Sequence, residues 1–414
     1  MKEKKLSQEQ AGSAAAIQRV LDELAPTGGR LVLPAMELEL DRGLRLHSGV
    51  ELVGQGEGTV LRKGPGRVYP LSGYHNYGMA DVPLVSTEGL EVGMTVSIHD
   101  NRTHGGFYET FGTITWIEDN WVGLDHGIEA DYSGSEQPCL TTVFPLVFGN
   151  YVRGAALRDL HLEGNRAENA KGMGGCRGAA MYFGNSQDLE ITGVSERDYF
   201  GEGLGFQMCR DLRVLNCRFD GNTGNGLHPG AGSTNALLED CAGEGNGRSG
   251  FFFCVRANHV TLRRGTFRGN QLGISIGTRD CYNLVEDCQV EANRGAGILV
   301  RQGPHPVEVH SCLIHRCRVE GNALQEGQAQ VEVWGEAHDL VFADNRIGGG
   351  KVGVWVAENA REIYLENNHY HLVHPEVVAG PLGLRYTQPQ FECGYGTAGE
   401  SAFRHLERTS QFPH

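Results

Sequence analysis

The chain has 414 residues, of which 60 are glycine, about twice the usual share. Hydrophobic residues make up 40% and charged residues 21%, which excludes a disordered chain and supports a large core. The formal net charge of −15 argues against a nucleic-acid or anionic-membrane partner, since either normally needs a basic face, and no run approaches the roughly 18 apolar residues of a membrane-spanning helix.

The opening MKEKKLSQEQ is basic but is followed by no apolar stretch. As it stands the chain is expected in the cytoplasm, or secreted if a signal has been trimmed from it. AGSAAAIQRVLDELA then reads as an amphipathic helix, with Ala16, Ile17, Val20, Leu21 and Leu24 on one face. Short strands follow in GGRLVLPAMELEL, LRLHSGVELVGQG and TVLRKG, and 1–83 is taken as a capping helix with the first coils. Residues 84–137 break the rhythm. Met94–His99, Gly112–Glu118 and Trp121–Leu124 alternate apolar and polar residues, which predicts a small antiparallel lobe inserted over a groove.

The main body, 138–375, is a repeat. LRVLNCRFDGNTGNGLHPGAG, ALLEDCAGEGNGRSGFFFCVR, VTLRRGTFRGNQLGISIGTR and LVEDCQVEANRGAGILVRQG line up from Leu212, Ala236, Val260 and Leu284. Asn222, Asn246, Asn270 and Asn293 recur in step, and Asn322 follows after a longer interval. Five residues before each stands Cys217, Cys241, Gly265, Cys288 or Cys317. In the coil from Leu189 the same slots hold Val194 and Tyr199. A short repeat of β-type runs with Gly/Asn corners and no helix between them is a parallel β-solenoid coil. The asparagines suit tight corners and can bond along the axis. One cysteine per coil is not a metal-binding spacing, and the odd total of eleven forbids complete internal pairing. The pattern fades after about Glu376, so 376–414 is expected as a tail laid on the solenoid.

The Ala-Ala-Ile-Gln helix, the GGRLVLP strand, the LVGQGEGTVL turn-strand and the Gly/Asn-cornered coils together resemble the pectate-lyase-like superfamily of right-handed parallel β-helices. The resemblance covers roughly residues 10–370. It implies an all-β fold, a right-handed parallel β-helix with an N-terminal capping helix and a small antiparallel insertion. It also implies an oligo- or polysaccharide partner lying across the outward face of one sheet.

With Leu204, Leu227, Phe251, Ile274 and Ile298 inward, alternation puts Gly205, His228, Phe252 and Ser275 outward. The next outward column is Gln207, Gly230, Cys254, Gly277 and Arg301, and the strand-end column is Cys209, Gly232, Arg256 and Arg279. Arg256, Arg279 and Arg301 on neighbouring coils can grip a carboxylate or sulfate, as an acidic sugar requires. The alternative is a set of salt bridges to Asp280, Glu202 or Asp198. His228, followed by Pro229 and Gly230, is an acid/base candidate in an open strand position. Its alternative is a corner histidine bonded to a backbone carbonyl. Tyr199 either moves a proton or fills its corner, and Glu202 and Asp198 flank it. NGLHPG resembles the YGFDPH signature of mannuronan C-5 epimerases. However, His228 stands where that motif has aspartate and Gly230 where it has histidine, so the mechanism does not carry over.

The expected function is therefore a lyase or C-5 epimerase acting on an acidic, uronate-containing glycan by proton abstraction. His228, Tyr199 and Arg256 are the expected catalytic residues, and Glu202, Gln207, Arg279, Asp280 and Arg301 the substrate-binding ones. A glycoside hydrolase is the first rival and needs two groove carboxylates, for which Glu202 with Asp198 or Asp280 are the candidates. A non-catalytic glycan-binding or tailspike-like protein is the second, with Phe251–Phe253, Trp334 and Trp355 as its aromatic surface. Neither rival excludes an oligomer. No cofactor or metal is expected. His369, His371 and His374 follow no ligand-spacing rule, and the clustered groove carboxylates that calcium would need are not seen.

Overall fold

The computed structural model describes residues 2–101, 110–169, 175–350, 352–371 and 378–379. It divides into two compact units. The first comprises Met1–Asn185, Gly193–Phe206 and Asn222–Gly224, and the second Ser186–Thr192, Gln207–Gly221 and Asn225–His414.

In the first unit, the helix Ala14–Leu24 starts where the Ser13 side chain accepts the Ala16 amide at 3.1 Å, relieving one orphan donor of the first turn. Ala14, Ile17, Leu21 and Leu24 are buried, whereas Ala16 and Val20, expected on that face, are half-buried. Gln18 on the opposite side does something a helix rarely does. Its amide accepts the Arg45 N–H at 2.7 Å and donates to the Arg45 carbonyl at 3.2 Å. The side chain thus pairs with the edge strand Leu44–Arg45 as a further rung would. Parallel strands stack behind it, with Leu44–Arg45 beside Val147–Asn150 and Val147–Asn150 beside Ala179–Gly184.

The lobe expected over 84–137 is a six-stranded antiparallel sheet that begins earlier and ends later. Its order is Val68–Pro70, Cys139–Thr141, Thr95–His99, Thr110–Glu118, Trp121–Leu124 and Asp81–Pro83. The flanking three-residue strands alternate too briefly to be recognised without their partners. The lobe has its own core around Val82, Val96, Ile98, Ile114, Val122, Tyr132 and Leu140.

The second unit is a parallel β-solenoid whose coils contribute one strand to each of three stacks. The third stack runs through Leu227–Pro229, Ser249–Phe252, Leu272–Ile276, Ile298–Val300, Val331–Val333, Val354–Val356 and Val378–Ala379. Leu227 pairs with Phe251, Phe251 with Ile274 and Ile274 with Ile298, and all four are fully buried. The expected inward column is therefore the observed one within this unit. The asparagines form a continuous ladder. Asn246 Nδ2 donates to Asn270 Oδ1 at 3.0 Å, Asn270 Nδ2 to Asn293 Oδ1 at 3.2 Å, and Asn293 Nδ2 to Asn322 Oδ1 at 2.8 Å. Each Oδ1 also receives the backbone N–H of the preceding asparagine. Gln330 takes over for Asn322 at 2.8 Å from its amide N–H and 3.1 Å from its side chain.

The cysteine slot is a small buried position. Cys217, Cys241, Cys288 and Cys317 each turn Sγ to the carbonyl two residues back, at 3.2–3.4 Å. Where Gly265 interrupts the column, the Phe267 ring stands 2.7 Å from where its Cβ would be. Paired acids in the neighbouring strands serve the outer face. Arg264 chelates Asp240 with two bonds of 2.8 Å, and Arg316 does the same to Asp287. Of the expected tail only Val378–Ala379 lies within the described residues, as a strand against Trp355 and Val356. His374 of the histidine trio lies outside them.

Candidate functional site

The predicted residues divide between the units. Tyr199 and Glu202 belong to the first. Tyr199 is 2% exposed, its backbone N–H is held by Asn222 Oδ1 at 2.8 Å, and burial pushes its phenol far above the usual range. It fills the corner and is not placed to move a proton. Glu202 is buried too, its backbone N–H bonded to Gly178 O at 2.7 Å. Asp198 is spoken for by Arg166 at 3.2 Å.

The other six lie in the second unit, and they do not form one site. His228 is 2% exposed, its ring set edge-on to Phe252 with centroids 5.0 Å apart, so the open position expected for it is not observed. Gln207 is fully buried and accepts the Ala231 N–H at 2.7 Å, directly beneath the Cβ-less Gly230. Asp280 is also fully buried. Its two oxygens accept the Ala257 N–H at 3.0 Å and the Gly277 N–H at 2.8 Å, and Arg301 stands 3.5 Å away. Burial outweighs these and pushes its carboxyl up to about 8.

Arg301 departs from the expected three-arginine column. Gly277 has no Cβ, which would stand 2.5 Å from Arg301 Nε, and the arginine lies down across that gap. Its guanidinium covers the Phe252 ring at 4.2 Å, donates to Ser275 Oγ at 2.6 Å and to Phe253 O at 2.8 Å. The arginine faces along the third strand stack, toward a cleft described below.

Arg256 and Arg279 do remain together. They share a cleft of about 390 Å³ with Asn258, Cys281, Tyr282 and His310. Their backbones are equivalent corners: the Gly232, Arg256 and Arg279 amides bond to Val255, Thr278 and Val307 of the next coil. All three corners are left-handed, with φ of 68°, 65° and 61°. Glycine adopts that conformation freely, whereas arginine is strained there by roughly 1–2 kcal/mol. Both arginines are exposed, and neither makes a salt bridge among the described residues. Elsewhere in this unit Arg264 and Arg316 are tied to carboxylates, whereas the exposed Arg248 and Arg268, like Arg256 and Arg279, make no salt bridge among the described residues.

Tyr282 and His310 line this cleft as the middle members of a stack of rings. His259 lies flat on Tyr282 (5.1 Å, 9°), Tyr282 stands edge-on to His310 (5.4 Å), and His310 lies flat on His338 (5.1 Å, 10°). Sequence reasoning missed this ladder. The coil step lengthens between Tyr282 and His338, so the rings fall out of the interval set by the asparagines. The Ser311 hydroxyl donates to Asp339 Oδ2 at 2.7 Å. Its oxygen must then accept from His310 Nδ1, 3.1 Å away. That fixes the neutral tautomer with its lone pair on Nε2. Burial, His338 and Arg279 lower the imidazole's pKa, which keeps it unprotonated at neutral pH. Burial raises Tyr282 to about 12, so its hydroxyl keeps its proton.

Residues 231–370 match the family model for the right handed beta helix region. No curated protein matches the sequence. Among solved structures, the A-module of mannuronan C-5 epimerase AlgE4 from Azotobacter vinelandii is similar, with a TM-score of 0.52 at 14% identity over 93% of this chain and 98% of that one. The catalytic domain of a GH87 alpha-1,3-glucanase in complex with nigerose gives 0.51 at 12% identity, covering 93% of this chain and 69% of that one. PfbA, a surface adhesin of Streptococcus pneumoniae, gives 0.52 at 12% identity over 90% of each chain. At such identities the likeness is one of fold. The chain is a right-handed parallel β-helix, as its coils implied.

Proposed function

We propose that this chain is a carbohydrate-active enzyme that takes an acidic, uronate-containing glycan and abstracts the proton next to its carboxylate, as a lyase or a C-5 epimerase. The observation that carries the reading is the pair of strained arginines Arg256 and Arg279, without a salt bridge among the described residues, on adjacent corners of a cleft lined by a neutral imidazole. That two of the similar folds are a mannuronan epimerase and a glucanase bound to a disaccharide supports a glycan as substrate.

In this reading the guanidiniums bind the uronate carboxylate and stabilise the charge that spreads onto it as the C5 proton leaves. Proton transfer is assigned to His310 rather than to the buried His228: Nε2 takes the C5 proton, while Ser311 and Asp339 hold the ring. The electron pair released from C5–H forms the C4–C5 double bond as the bond from C4 to the glycosidic oxygen breaks. The Tyr282 hydroxyl gives its proton to the departing oxygen. A base and a proton donor on one wall reach the same face of the sugar, which suits elimination; epimerisation would instead need a donor on the opposite face of C5 from His310.

The test is to incubate the protein with polygalacturonate, polymannuronate and glucuronate-containing glycans. The ultraviolet band of an unsaturated uronate, or solvent deuterium incorporated at C5, is expected with wild type. Both should be lost in Arg256→Ala/Arg279→Ala and in His310→Ala. New reducing ends without the band would mean hydrolysis, and binding without any product would mean a non-catalytic protein; either would overturn the reading.

A further inference from the structure

Arg301 borders a second cleft, about 410 Å³, which it shares with Trp334, one of the tryptophans that the sequence offered as an aromatic glycan surface. Its wall is apolar, formed by Leu272, Leu299 and Trp334 with Gly295 and Ala296 between them, while Arg301, Gln302, Glu326 and Glu332 form the polar border. The outward column runs Ser275, Leu299, Glu332, Trp355 in paired register, so the cleft sits on the outer face of the third strand stack.

Trp334 is held in place from two sides. Its indole N–H donates to Glu332 Oε2 at 2.8 Å, and its ring packs against Trp355 with centroids 4.2 Å apart and planes at 40°. Glu332 is only 4% exposed, and its other oxygen receives the Gln328 and Ala329 amides at 2.5 and 3.2 Å. With Trp355 packed against its ring and its N–H tied to Glu332, the half-buried indole lines the cleft as a fixed aromatic surface. Arg301 is held as firmly, by Phe252, Ser275, Phe253 O and Asp280.

We infer that this cleft is a subsite for a neutral sugar ring. A pyranose carries C–H bonds on its face and hydroxyls around its rim. The cleft offers the same pattern reversed: an immobilised aromatic plane for the face, and carboxylate, amide and guanidinium groups for the rim. Two glutamates against one arginine, itself engaged by Asp280, disfavour a second carboxylate here. This inference rests on the glycan reading above and refines it: the glycan carries neutral residues as well as uronates.

Trp334 and Trp355 are two of four tryptophans, the others being Trp116 and Trp121 in the antiparallel lobe. In a Trp116→Phe/Trp121→Phe protein the fluorescence reports on this cleft. Titration with cellohexaose, laminarihexaose and a mixed glucuronate–glucose oligosaccharide is expected to quench it saturably. Trp334→Ala should weaken that binding about tenfold, with Trp334→Phe intermediate if the platform is what matters. Arg256→Ala/Arg279→Ala should leave the quench by neutral oligosaccharides unchanged. No quench by any neutral sugar, or equal quench in Trp334→Ala, overturns the subsite. The uronate product assay is read separately, so elimination or exchange that persists without a fluorescence response would sink this inference and leave the proposed function standing. Quench without uronate chemistry would do the reverse.

Discussion

At the scale of single residues, ionisable groups have been placed where water cannot reach them, and their proton equilibria make measurable statements. Lys63 is 1% exposed, with Nζ bonded to Gly64 O at 2.7 Å and 4.2 Å above the Phe144 ring. Burial lowers it to about 7, against a weak opposing pull from Glu39. The folded chain therefore binds fewer protons than the unfolded chain between about pH 7 and 10.5, and stability should rise with pH across that window. Lys63→Met should remove the rise and stabilise the protein at neutral pH by on the order of a few kcal/mol, read by urea unfolding at pH 7 and 9. The Gly64 carbonyl would keep the Asn169 amide, 3.3 Å away, as its donor. His310 gives a second test. Burial, His338, Arg279 and Arg361 lower it, against Glu308, with Tyr282 as its uncharged neighbour and Ser311–Asp339 on Nδ1. As a base it works only unprotonated, so kcat/KM should hold down to below the ordinary histidine value of about 6.5 and then fall. His338→Gln should move that acid limb upward in the pH–rate profile.

At the scale of elements, the stacked side chains decide what can be changed. Asn270 Oδ1 serves both the backbone and the side chain of Asn246, while its Nδ2 serves Gly243 O at 2.8 Å. Asn270→Ala leaves buried donors and an acceptor unmatched, each costing about 1–3 kcal/mol, so a loss of about 3 kcal/mol or more is expected in thermal or urea unfolding. Asp280→Asn has one acceptor oxygen for two amides and releases Arg301, and should cost about 1–3 kcal/mol. The asparagine and cysteine columns and the inward residues Leu227, Phe251, Ile274 and Ile298 were legible because they obey the coil interval. The site was legible only in part. Arg256 and Arg279 could be found at their corner positions, but the fate of Arg301 turns on the missing Cβ of Gly277 one coil away. His310 and Tyr282 meet across coils of unequal length, which no fixed spacing reveals. The open setting expected for His228 failed because Phe252, in the same outward column, closes over it edge-on.

At the scale of the whole molecule, the charge of −15 and the proposed polyanionic substrate oppose each other. The repulsion acts over the Debye length, about 30 Å at 0.01 M salt and about 8 Å at 0.15 M, whereas the arginine contacts are short-ranged. KM for a uronate glycan should therefore fall as salt rises across that range, while the affinity of neutral oligosaccharides stays level. Steady-state kinetics and fluorescence titration in parallel would show the contrast. The corner that carries Arg256 and Arg279 also has a longer consequence. Gly232 occupies the same bend one coil away with the same φ and the same kind of amide bond, so the backbone there accepts either residue type without reshaping the coil. Corner side chains lie outside the packed interior, which means ligand preference can be rewritten one coil at a time while the interior stays as it is. In such a lineage the recognised sugar can diverge long before the scaffold does.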